Sequence, residues 1–184
     1  MKKLSFISQY VFKPRTVGAI LPSSKYLAAK MVQSIDFAAA KCIVEYGAGT
    51  GVFTEKILQM RRPDATVIVF EMNKAFIATL QKRFGHQANV HIFNESAANV
   101  GLRLADCGHK KANYIVSGLP FASLPQDVSA TILQQTKEHL QANGQFVTFQ
   151  YTMLKIDFFR KYFKHITTTR ELRNVPPAYV LRCM

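Results

Sequence analysis

Acidic residues are scarce in this chain of 184: 11 Asp and Glu stand against 24 Lys and Arg, a net charge of +13. No acid occurs before Asp36, whereas Lys2, Lys3, Lys13, Arg15, Lys25 and Lys30 all precede it. Such a surface attracts polyanions, and charge alone does not choose between RNA and an anionic membrane face. Cysteine is sparse too. Cys42, Cys107 and Cys183 are odd in number and lack metal-type spacing, which argues against a zinc site and for reduced thiols in a cytoplasmic protein. No apolar run approaches the roughly 18 to 20 residues that a membrane-spanning helix needs. The short apolar patch behind Lys2 and Lys3 is interrupted by Ser8, Gln9 and Lys13, with no small-residue cleavage site close after it, so it reads as part of the mature protein. No internal repeat or low-complexity linker divides the chain. Its length suits one domain over residues 1–184, with residues 1–40 a helical cap or amphipathic extension. Neither a Ser-His-Asp nor a Cys-His arrangement stands out, and His86, His91, His109, His139 and His165 share no spacing.

What the chain does have is a close run of three glycines. Val44-Glu45-Tyr46-Gly47-Ala48-Gly49-Thr50-Gly51-Val52-Phe53-Thr54 follows the apolar Cys42-Ile43-Val44 and opens a stretch with Phe53, Ile57 and Met60 at helical spacing. This reads as strand, tight turn and helix, the turn letting a ligand approach the backbone. A dinucleotide fingerprint needs glycine at its sixth position, which here is Val52. Glu71 ends the next apolar strand, Thr66 to Phe70, where an acid accepts hydrogen bonds from a ribose diol.

Further along, the pattern alternates. Strands are expected at 66–71, 89–93, 113–117 and 145–151, helices at 73–84, 126–141 and 154–164, with a poorly patterned segment up to about Lys111 and a turn at Asn143-Gly144. Segments 166–173 and 179–183 read as a terminal hairpin. Alternation of this kind implies right-handed crossovers and a mostly parallel α/β sheet with helices on both faces. Near the start, Leu4, Ile7 and Val11, with Phe6 and Tyr10, have the spacing of a basic amphipathic helix ended by Pro14. That helix suits a membrane interface or a docking face on its own domain. Ser23 or Ser24 can cap the helix carrying Leu27, Met31 and Ile35, which either folds over the ligand pocket or covers the sheet.

E-x-G-x-G-x-G with a later acid resembles motifs I and II of class I S-adenosylmethionine methyltransferases, whose fold is a Rossmann-like seven-stranded sheet. The resemblance implies S-adenosylmethionine as cofactor. It places Gly47, Gly49 and Gly51 against the methionyl and ribose part, Glu45 at the turn or the ammonium, Glu71 on the ribose and Met72 on the adenine. Glu95 or Ser96 would meet the adenine amino group. Ser117-Gly118-Leu119-Pro120-Phe121 resembles the motif that holds the acceptor nitrogen in amino methyltransferases. In the ribosomal RNA adenine dimethylases the residue at the Gly118 position is Asn, whose amide helps bind adenine. Val17 to Ser24, the glycine run, Ser117 to Phe121, Phe149-Gln150-Tyr151, Phe159-Arg160 and Asn174 to Ala178 together resemble the soluble bacterial phospholipid N-methyltransferases, relatives of those dimethylases. Tyr46 departs from the Leu common there, and Asn94-Glu95 from Gly-Asp. The implied activity is methylation of phosphatidylethanolamine at the surface of anionic lipid by a cytoplasmic, peripherally membrane-associated enzyme. Ser117, Gly118, Leu119, Pro120 and Tyr151 would form the acceptor site, and Tyr151 or Ser117 would accept or relay the proton that the amine must lose. The alternatives are an RNA adenine N6-methyltransferase and a cofactor-binding module without catalysis.

Overall fold

The computed structural model describes residues 24–184. The expected amphipathic helix around Leu4, Ile7 and Val11 and the Val17 to Ser23 block lie outside the described residues. Seven strands form one sheet: β1 (Cys42–Tyr46), β2 (Thr66–Phe70), β3 (Val90–Phe93), β4 (Ala112–Ser117), β5 (Leu140–Gln150), β6 (Ile166–Glu171) and β7 (Ala178–Cys183). Their order is β3-β2-β1-β4-β5-β7-β6. Neighbouring strands from β3 to β5 pair in parallel, and β7 runs antiparallel between β5 and β6. The mostly parallel sheet and its antiparallel terminal hairpin are those that the alternating pattern implied, and the seven strands are the number that the methyltransferase resemblance implied.

Every residue of β1 and β2 is buried, because helices cover both faces and strands so placed read as near-continuous apolar runs, with Glu45 and Thr66 the polar exceptions. On one face, helices Lys25–Val32, Val52–Met60 and Lys74–Phe84 pack Leu27, Met31, Ile57 and Leu80 against Ile43, Val67, Val69 and Val147. On the other, helices Val100–Asp106, Gln126–His139 and Ile156–Arg160 pack Leu104, Leu133 and Phe159 against Val44, Ile68, Ile115 and Phe146. Ser24 is the residue that caps the first helix, its Oγ accepting the Leu27 N–H at 3.1 Å. That helix buries its apolar side on the sheet face near β5 and β7 and beside helix Val52–Met60. It therefore covers the sheet.

Three elements differ from the expected pattern. The segment before Lys111 contains a 3-10 turn, Ala97–Asn99, and helix Val100–Asp106. This helix buries only Val100 and Leu104, a single pair at helical spacing, which is too little periodicity to read. Helix Gln126–His139 stops early, and β5 begins at Leu140 and runs through Asn143-Gly144. A register shift against β4 absorbs the three extra residues of β5, between the pairs Ala112 with Leu140 and Tyr114 with Gln145. A Cβ on Gly144 would stand 2.8 Å from the Asn113 carbonyl oxygen, so glycine marks a close strand approach here. Finally, the expected helix 154–164 forms regular α-helix only over Ile156–Arg160.

Candidate active site

The carboxyl ends of β1, β2 and β4 converge. Gly47, Gly49 and Gly51 have φ of +66°, +55° and +85°, a region that side chains disfavour. Two of the three also have no room for a side chain. A Cβ on Gly51 would lie 2.7 Å from Phe84 Cε2 and 2.9 Å from Leu80 Cδ2, and one on Gly47 would lie 2.7 Å from Leu119 Cδ2. A Cβ on Gly49 would meet nothing within 4 Å. The turn is thus packed at both ends and open in the middle, above Gly49.

Glu71 frames that opening. One carboxylate oxygen accepts the Gly49 N–H at 2.8 Å and the other accepts the Asn73 N–H at 2.8 Å, while Asn94 Nδ2 donates to the Glu71 carbonyl at 2.9 Å. Each oxygen keeps a further lone pair, so a diol can donate to the same carboxylate.

Glu45, at the penultimate position of β1, is fully buried. One oxygen accepts the Thr54 hydroxyl at 2.6 Å, and the other has no partner. Burial pushes its pKa up to about 7, the Thr54 bond opposes this, and nearby Glu71 adds to it. An unpartnered buried carboxylate oxygen costs about 1–3 kcal/mol, which a cationic donor would relieve. Thr54 was not singled out in the sequence. Its signal is the first-turn position after Gly51, which faces it back to the end of β1.

The two candidates for the adenine amino group already have partners in local structure. Arg103 pairs with the Glu95 carboxylate through Nη2 and through Nε at 3.2 Å, and Asn99 Nδ2 donates to it at 2.9 Å. Those partners, Arg103 first, hold the Glu95 pKa below the ordinary carboxylate range. Ser96 Oγ accepts the Ala98 N–H at 3.2 Å and caps the 3-10 turn. Met72 is half-buried next to Glu71.

In the segment that the resemblance assigns to the acceptor, Ser117 is buried and its Oγ accepts the Leu119 N–H at 3.2 Å. Gly118 donates its N–H to the Tyr46 carbonyl at 2.8 Å, and a Cβ there would stand 2.6 Å from the Gly47 carbonyl oxygen. Leu119 and Pro120 are half-buried. Phe121 turns away from the cleft: it is fully buried, with ring centroids 5.4 Å from Phe159 and 6.2 Å from Phe146. The motif's aromatic therefore belongs to the core. Tyr151 is half-buried, and burial raises the pKa of its phenol, with neighbouring Asn174 opposing the rise. A phenol in that setting stays protonated near neutral pH, which suits a hydrogen-bonding role better than that of a base. Asn174, another residue to which the sequence reading gave no role, accepts the Ser24 N–H at 3.1 Å and donates to the Pro176 carbonyl at 2.8 Å.

The structure thus brings Glu45, the three glycines, Glu71, Ser117, Gly118 and Leu119 together, and leaves Glu95 and Ser96 engaged in local structure. A separate cavity of about 340 Å³ lies at the opposite, amino-terminal edge of the sheet, between Lys111, Lys137, Phe163 and His165, away from these groups.

This sheet, with an open glycine turn between a fixed acid and one that keeps a single unpartnered oxygen, defines an S-adenosylmethionine-dependent methyltransferase. Residues 12–170 match the family model for ribosomal RNA adenine dimethylase, and the chain belongs to that family. It is 31% identical over 180 residues to the ornithine lipid N-methyltransferase of Singulisphaera acidiphila, an alignment spanning 97% of this chain and 93% of that one. It is also 31% identical over 126 residues to the ribosomal RNA small subunit methyltransferase A of Persephonella marina, covering 68% of this chain but 44% of the other. Among solved structures, the T. thermophilus 16S rRNA N2 G1207 methyltransferase, in complex with AdoMet and guanosine, shares the fold with a TM-score of 0.65 at 20% identity, over 92% of this chain and 44% of that one.

The residues present fit S-adenosylmethionine. Glu71 has acceptor capacity for a ribose diol, the unpartnered Glu45 oxygen suits an ammonium group, and the backbone at Gly49 is open to approach.

Proposed function

We propose that the protein methylates the amine nitrogen of a membrane lipid headgroup, working in the cytoplasm at the membrane surface. The observation that carries this reading is Gly118. The position offers no side-chain amide for a nucleobase, and the Gly47 carbonyl occupies the space where a Cβ would begin. Similarity to a lipid N-methyltransferase along nearly the full length of both chains supports the same reading, as does the net charge of +13. Phosphatidylethanolamine is the acceptor that the sequence resemblance implies, and an amino-acid lipid such as ornithine lipid is the one that the relative's name suggests. Both present a primary amine.

When bound, S-adenosylmethionine supplies a methyl carbon that an unprotonated amine can take as the bonding electrons leave with sulfur. The protein's share is alignment and exclusion of water. Glu71 and the glycine turn hold the donor side rigid. Gly118 and Leu119 form a small, largely apolar wall beside it, which disfavours a charged ammonium and helps the amine reach its neutral form. The Ser117 hydroxyl and the Tyr151 phenol serve as hydrogen-bonding groups that orient the nitrogen.

Incubation of the intact protein with radiolabelled S-adenosylmethionine tests this reading. Vesicles containing phosphatidylethanolamine, vesicles containing ornithine lipid and deproteinised 16S ribosomal RNA are offered separately. Label in either lipid extract is expected, and the two lipid arms identify the headgroup. Label in RNA alone would overturn the proposal in favour of an adenine methyltransferase, the activity after which the family is described.

A further inference from the structure

The loop between β6 and β7 lies at the same edge of the sheet as the glycine turn, because β6 and β5 both run antiparallel to β7. Its tip is apolar and open: Leu172 is 64% exposed and Val175 67%. Tyr26, 39% exposed, lies beside it with the Arg173 guanidinium 4.3 Å from its ring centroid. Of the seven large apolar residues exposed among the described residues, these three gather here, whereas Leu154 lies with Gln126 and Phe158, and Met60, Leu102 and Met184 belong to other elements or termini. Scattered exposed apolar residues need no explanation, but a cluster at the rim of an active site does.

The loop is also preformed and free of unpaired acid. Asn174 ties it to the Ser24 N–H and to the Pro176 carbonyl. Glu171, the acid of the loop, accepts the Arg173 N–H at 3.0 Å and Arg173 Nε at 2.9 Å. Lys25 and Arg170 stand close by, each beside an aromatic ring. A rigid apolar tip ringed by cations is complementary to a bilayer with anionic headgroups: the tip enters the acyl boundary, the cations meet phosphate, and Tyr26 suits the layer between.

We propose that the β6–β7 loop docks the protein on anionic membranes, with Leu172 and Val175 as the inserted side chains and Lys25, Arg170 and Arg173 as the headgroup contacts. The proposal deepens the lipid-acceptor reading and rests on it, since the loop faces the bilayer with the same edge that carries Gly118 and Tyr151. Asn174 joins the docking element to the acceptor side, as it lies next to the Tyr151 phenol.

Co-sedimentation of the full chain with phosphatidylcholine vesicles, with and without phosphatidylglycerol, is the test. The Leu172→Glu/Val175→Glu variant is expected to bind anionic vesicles about tenfold more weakly or worse, while Leu102→Glu binds like the parent. Cofactor affinity by calorimetry shows whether each variant is folded. As a second measurement, Val175→Trp introduces a single Trp into a chain that has none, and its emission should shift to the blue on anionic vesicles. Undiminished binding by a folded double variant, or no shift from Trp, overturns the docking loop. Vesicle binding is read without methylation, so a failure of the acceptor reading, label in RNA but in no lipid, remains a separate result.

Discussion

The turn after β1 and the segment after β4 touch at Gly47 and Gly118, yet their polar groups are disposed in opposite ways. Around the turn, Glu71 is clamped by two backbone N–H groups and Glu45 by Thr54, and both packed glycines are hemmed in by side chains. Around the segment after β4, the Ser117 hydroxyl accepts only the Leu119 N–H, position 118 has no side chain, and Tyr151 is only half-buried. The donor side is preorganised for one ligand, as electrostatic catalysis demands. Its neighbour supplies shape and an apolar surface and few fixed dipoles. A donor is common to many reactions and its site can be rigid; the acceptor decides what the enzyme is for.

The comparison can be broken most forcefully at Gly51. Gly51→Ala combines a left-handed φ with a clash against Phe84 and Leu80, and urea unfolding should show a loss of about 3 kcal/mol. Glu71→Ala removes the acceptor of two N–H groups and of the ligand diol. Calorimetry should record S-adenosylmethionine affinity lower by about 2 kcal/mol, roughly thirtyfold.

Glu45 sharpens the contrast through pH. Its folded pKa of about 7 stands above the ordinary 4.5, so the native state keeps a proton that the unfolded chain releases. The stability contributed by the neutral carboxyl is full below about pH 4.5 and is lost as pH rises through about 7. Glu45→Gln should abolish that decline in urea midpoints. In the parent, cofactor binding should release a proton below pH 7 as the carboxylate gains its partner, seen as a binding enthalpy that varies with the buffer; in Glu45→Gln that dependence should vanish and affinity should fall about tenfold.

Smaller effects are expected across the boundary. Tyr151→Phe should lower kcat about threefold and leave cofactor affinity alone, as befits an orienting hydroxyl without a proton-accepting role. Glu95→Gln should change cofactor affinity less than about twofold and stability by less than about 1 kcal/mol, the scale of a partly exposed ion pair. A large loss of cofactor affinity there would restore Glu95 to the adenine site.

Much of the donor half was legible in the sequence. Three glycines in seven residues, followed by an acid at the end of the next apolar strand, leave few physical interpretations, and fully buried strands advertise themselves as continuous apolar runs. The acceptor half was harder to read. The motif Ser117 to Phe121 signals a site, but only packing shows that Phe121 belongs to the core and that Gly118 abuts the Gly47 carbonyl. Glu95 looked available because its partner Arg103 sits eight residues on, across a short helix with too little pattern to see. Asn143-Gly144 read as a turn because that dipeptide usually is one, whereas here it lies within β5, in the stretch where the register against β4 shifts.

The 2.6 Å between a would-be Cβ at position 118 and the Gly47 oxygen also bears on how such enzymes diverge. Restoring the asparagine of the adenine dimethylases at that site presses on the loop that carries the methyl donor, so a gain in nucleobase recognition begins with damage to the shared chemistry. A side chain at position 118 then demands coordinated remodelling of both loops, and Gly118→Asn alone should cost cofactor affinity before it gains anything.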